Sequence, residues 1–92
     1  MTTDPKAGER MALGARCREL AQSPAFIEAV EAIDGDYRSA MFKTAVEAKD
    51  TREMLYLEYN GFRRIIARLK SWERDGILAQ AELDGEKVKE DN

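Results

Sequence analysis

Arg63, Arg64, Arg68, Lys70 and Arg74 crowd into the stretch NGFRRIIARLKSWERDG, interleaved with Ile65, Ile66, Leu69 and Trp72. Guanidinium and ammonium groups at this density can hold phosphate or carboxylate oxygens. On a helix, at 100° per residue, Arg63, Lys70 and Arg74 share one flank, and Arg64 and Arg68 lie on the back. Three readings fit. The bases form a solvated outer face, a ridge for DNA backbone phosphates, or a surface for an acidic partner. Phosphate contacts alone carry no base readout. Glu73 and Asp75 interrupt the patch, and the net charge of the chain is −3, so any such site is local.

Other chemistry is scarce. The chain has no histidine, which removes the commonest general base and the commonest transition-metal ligand. Its one cysteine, Cys17, stands at helical spacing between Leu13 and Leu20, as a packing cysteine does. The six glycines are scattered and form no phosphate-binding loop. These features predict a protein without catalysis, cofactor or metal. A lone cysteine cannot form an internal disulfide and suits a reducing compartment. No apolar run reaches the length of a membrane span, and MTTDPKAGER has no secretory core. An intracellular setting is the expectation.

The elements that position these residues read as all-α. Of 92 residues, 43% are hydrophobic and 36% charged, with both signs mixed, as on exposed helices. A first helix is expected over Asp4–Ala21, with Met11, Leu13, Cys17 and Leu20 as its apolar positions. Gly8 and Gly14 should weaken it by about 1 kcal/mol each. A second is expected over Pro24–Ala48, where Ser23 can cap and Pro24 suits the first helical position. Its stripe is Phe26, Val30, Ile33, Tyr37, Ala40, Met41, Thr44 and Ala48, and Asp34 and Arg38 stand as an i,i+4 pair.

A third helix is expected over Thr51–Asp75. Asp50 and Glu53 form a capping-box pattern at its start, and Gly76 supplies a stop. Its seam of Leu55, Tyr59, Phe62, Ile66 and Leu69 has coiled-coil spacing. The short connection predicts an antiparallel hairpin of the second and third helices, with the shorter first helix laid across it. Phe26, Val30, Ile33, Tyr37 and the third-helix seam should be buried. Residues 1–83 form a single helical domain in this reading, and 84–92 a disordered charged tail.

Some apolar residues fall off these stripes. Met54, Gly61, Ile65 and Trp72 share one flank of the third helix, where Gly61 would admit a close neighbour. Either the first helix packs there or a partner does. Phe42 and Val46 point away from the hairpin. So small a core favours self-association, and these six residues are the candidate protein interface.

The stretch from Arg18 to Ala79 resembles a group of small tailed-bacteriophage proteins, over about two-thirds of the chain. The shared pattern is Leu20, Ser23, Pro24 and Phe26, then Asp50, Thr51, Arg52 and Glu53, then a long helix and Gly76. The resemblance implies phage origin, among genes of DNA packaging and virion assembly, and brings no catalytic residues. The expectation is a non-enzymatic, oligomeric packaging or virion-assembly protein working by helical protein–protein contacts, with DNA phosphate contacts as a second capacity. Its partners would be its own copies, a phage or host protein and the DNA backbone, with no membrane. Its setting would be the host cytoplasm or the virion. The alternative is a phage-encoded inhibitor or sequestering protein directed at a host defence factor or nucleotide signal.

Overall fold

The structure, a computed structural model, describes residues 6–91, with side chains as far as residue 85. Three helices carry these residues: α1 (Ala7–Gln22), α2 (Pro24–Lys43) and α3 (Lys49–Asp91). The chain divides into two compact units. One is Gln22–Ala67, the other Met1–Ala21 with Arg68–Asn92, so α3 contributes to both.

The unit of residues 22–67 pairs α2 with the beginning of α3. Ser23 holds extended backbone at φ −69° and ψ 123°, and its hydroxyl accepts from the Phe26 N–H at 3.4 Å. Pro24 follows at the first helical position, where its missing N–H costs nothing. The helix stops at Lys43, earlier than the expected Ala48. Thr44 turns extended, its hydroxyl donating to the Ala40 carbonyl at 2.7 Å. Arg52 fastens the connection that follows. Its Nη2 donates to the carbonyls of Ala45 and Val46 at 2.9 and 3.0 Å. The Ala45 carbonyl also accepts the Ala48 N–H, at 2.9 Å.

The α3 helix then starts two residues earlier than the capping-box pattern predicts. The Arg52 N–H donates to the Ala48 carbonyl at 3.1 Å, which puts Ala48 at the cap. Asp50 lies inside the first turn, where its charge complements the helix dipole.

Across this hairpin the aromatic seam closes as the spacing predicts. Tyr37 meets Tyr59 and Phe62 with ring centroids 5.8 and 6.3 Å apart, and Tyr59 and Phe62 stand 6.3 Å apart. Burial is shallower than expected. Tyr59 is buried, at 8% exposure. Phe26, Val30, Tyr37, Leu55, Phe62, Ile66 and Leu69 are half-buried, and Ile33 is exposed. The physical cause is the number of neighbours. Two helices cover a stripe on each other and leave both flanks open.

The other unit pairs α1 with residues of α3 from Arg68 onward, on a different principle. Its buried residues are small: Ala7, Gly14 and Cys17 on α1, Gly76 and Ala79 on α3. The contact lies at Gly14 and Gly76. A Cβ added to Gly14 would stand 2.9 Å from the Gly76 Cα and 3.0 Å from the Trp72 carbonyl oxygen. A Cβ added to Gly76 would stand 3.0 Å from the Gly14 Cα and 3.1 Å from the Arg10 oxygen. Each glycine thus faces the carbonyl one turn before the opposite glycine. Cα–H groups and carbonyls meet in this way at close helix crossings.

Several sequence expectations change here. Gly76 does not stop α3, which runs through it to Asp91. No glycine among the described residues has the positive φ that a C-terminal stop of that kind uses. Of the apolar positions named on α1, Cys17 is buried, beside Ala7 and Gly14, because a glycine crossing brings in only short side chains. Leu13 and Leu20 remain 38% and 40% exposed. Of the flank of Met54, Gly61, Ile65 and Trp72, α1 meets Trp72, beside Asp75 and Gly76. An added Cβ at Gly61 meets nothing within 4 Å. Of the segment expected as a tail, the backbone is helical to Asp91, and side chains beyond residue 85 lie outside the described residues.

The glycines yield a paired prediction. Gly61→Ala should raise the unfolding free energy by about 0.5–1 kcal/mol, because the methyl enters open space and the helix gains propensity. Gly76→Ala should lower it despite the same gain, because backbone must move. Chemical denaturation of the two variants followed by helical ellipticity checks this. Equal effects would mean that the crossing is loose.

Candidate functional site

Two side-chain clusters fasten the units. In residues 22–67 the Tyr59 hydroxyl donates to Asp34 Oδ1 at 2.6 Å, and Arg38 Nε pairs with Asp34 Oδ2 at 2.8 Å. The i,i+4 pair read from the sequence is therefore made, and Asp34 is shared with the opposite helix. Arg63 lies over the Tyr59 ring, 5.8 Å from its centroid. In the other unit Arg10 grips Asp75 with two prongs, Nε to Oδ2 at 3.0 Å and Nη2 to Oδ1 at 2.8 Å. It also reaches Glu82 at 3.5 Å. The fork locks the rotation of α1 beside the glycine crossing.

Asp75 titrates below the ordinary aspartate range. The hydrogen bonds from Arg10 lower its pKa, partial desolvation opposes them, and the Arg10 charge adds to the lowering. A carboxylate held in this way stabilises the fold above its unfolded pKa. That contribution fades as pH falls through the depressed value.

The bases singled out in the sequence all stand exposed on α3. Arg63 and Arg64 belong to the unit of residues 22–67. Arg68, Lys70 and Arg74 belong to the other. Arg63 has its aromatic neighbour. Among the described residues, no ion pair engages Arg64, Arg68, Lys70 or Arg74. Arg68, Lys70 and Arg74, within one unit, can gather oxyanions, and Asp75, expected to interrupt the patch, is itself paired with Arg10.

The apolar candidates divide in the same way. Phe42 is 91% exposed and Val46 83%, at the end of α2 and in its connection to α3. Met54, Gly61 and Ile65 are exposed on the same unit. Trp72 stands with the other unit, 39% exposed, its backbone against Gly14. Sequence reasoning missed Tyr56 and Leu57, both well exposed on α3. With Met41, Lys49, Arg52 and Glu53 they line an open groove of about 480 Å³. A signal was present. Tyr56 and Leu57 fall outside the seam of Leu55, Tyr59 and Phe62, so their apolar character needed another explanation.

No group of three potential metal-binding side chains occurs among the described residues. No described helix is long and apolar enough to cross a membrane. No protein family, curated protein or solved structure matches the chain.

Two predictions come from these clusters. Arg10→Gln should return the Asp75 pKa towards the ordinary aspartate value of about 3.9, read by carboxyl NMR titration. An unchanged Asp75 titration would show that the fork does not form in solution. If the bases hold DNA phosphates, Lys70→Ala with Arg74→Ala should flatten the log–log salt dependence of duplex binding by about 2, one step for each counterion-releasing contact. The unfolding midpoint should stay in place, since exposed charges contribute little stability. Salt-insensitive, sequence-selective binding abolished by the pair would refute the phosphate ridge.

Proposed function

We propose that the chain is a non-enzymatic helical assembly protein, of the virion-assembly or DNA-packaging kind that its sequence pattern resembles. It works by protein–protein contact, with copies of itself first and with a phage or host protein beyond them. The exposed bases of α3 serve DNA backbone or acidic surfaces in a secondary role.

The observation that carries this reading is the exposure of Phe42 and Val46, 91% and 83%. Each large apolar side chain left in water forgoes about 1.5–3 kcal/mol of burial. Arg52 holds the carbonyls of Ala45 and Val46, and Thr44 that of Ala40, so Phe42 and Val46 are presented from a fastened segment. The half-buried seam points the same way, since helices with open flanks gain from further neighbours. The absence of catalysis is supported by the lack of histidine in the chain and by the burial of its one cysteine.

The test is mass in solution. Light scattering over a concentration series should give a mass above 10.4 kDa that grows or holds on concentrating. A constant mass of one chain, up to the highest concentration reached, would overturn the assembly reading.

A further inference from the structure

We propose that a second copy of this chain occupies the groove of Met41, Tyr56 and Leu57, inserting its own Phe42 there while receiving the first copy's Phe42 in return. The inference rests on the assembly reading and names the partner and the surface. The groove and Phe42 belong to the same unit. Met41, which lines the groove, precedes Phe42 directly. At 100° per residue from the Tyr37 side of α2, Met41 leans to one edge of the seam and Phe42 lies further around in the same sense. Tyr56 and Leu57 lie near the start of α3, at the same end of the hairpin. A surface that carries both a projecting aromatic and an open apolar recess can meet its own copy about a two-fold axis.

Three further features favour a second copy over another occupant. The recess of about 480 Å³ is roomy enough for a phenyl ring. Its rim carries both signs one turn apart, Lys49 and Glu53, with the exposed Lys43 and Glu47 nearby. A basic or acidic partner would meet a like charge somewhere on this rim, whereas a two-fold copy can set each sign against its opposite. Finally, Phe42, Val46, Tyr56 and Leu57 are 91%, 83%, 58% and 69% exposed. Covering them on both copies removes on the order of 1,000 Å² from water, the scale at which specific interfaces begin. The backbone at the knob is already held by Arg52 and Thr44, so little ordering cost attends docking.

The experiment mixes two full-length variants. Phe42→Lys removes the knob, and Leu57→Glu spoils the recess. Both sites are exposed, so helical ellipticity should match the wild type. Each variant alone should lose at least about ten-fold in dimer affinity by sedimentation equilibrium. An equimolar mixture should recover it. In the mixed pair, one knob and one recess remain native, and the other contact sets the introduced lysine over the introduced glutamate. Differently tagged copies should then co-purify from the mixture and from neither variant alone. If the wild type associates and both variants associate equally well, this surface is wrong while the assembly reading stands. If the mixture fails to recover, the reciprocal insertion is wrong. A wild type that stays at one chain mass overturns both.

Discussion

The crossing of α1 on α3 at Gly14 and Gly76 is the constraint on which one unit depends. Both positions lack a side chain, so two backbones meet directly, and the buried places beside them go to small residues. Ala7, Cys17 and Ala79 take the buried places, while Leu13 and Leu20 remain outside. A close backbone approach gains dispersion over a narrow strip and gives no rotational lock by itself. Arg10 supplies that lock by forking onto Asp75, the residue beside Gly76. Backbone contact and ion pair are therefore complementary: one sets the distance, the other the register.

The hairpin of α2 with the start of α3 solves the same problem with large side chains. Tyr37, Tyr59 and Phe62 fill the seam, and Asp34 ties the Tyr59 hydroxyl to Arg38. The phenol would be costly to bury without a partner, and the shared carboxylate removes that cost. One long helix thus carries an aromatic register in its first part and a glycine register later. Among the described residues, no large side chain of either unit is fully enclosed. Two-helix packing is the cause, and it leaves apolar area for contacts beyond the chain. The assembly proposal draws on that property. The basic residues of α3 add a charged outer face without entering either seam.

The sequence by itself determined the helical class, the Ser23–Pro24 start of α2, the Asp34–Arg38 pair, the burial of Cys17 and the seam from Leu55 to Leu69. These follow from local rules, since a cap, an i,i+4 spacing and a seven-residue repeat are all read within a few turns of one helix. It also marked Phe42 and Val46 as residues without a place in the hairpin. Only the tertiary structure decided the roles of the glycines. Gly76 looks like a helix stop and Gly14 like a weak point, because intrinsic propensity describes an isolated helix. In the fold they are each other's contact surface, and Gly61, equally plausible from spacing, meets nothing. The pairing of Arg10 with Asp75, far apart in sequence, was likewise invisible to local spacing. So was the capture of the Ala45 and Val46 carbonyls by Arg52, which fastens the connection between α2 and α3. In each case the deciding partner is a backbone group or a distant charge, and neither leaves a periodic signal in the residues around it.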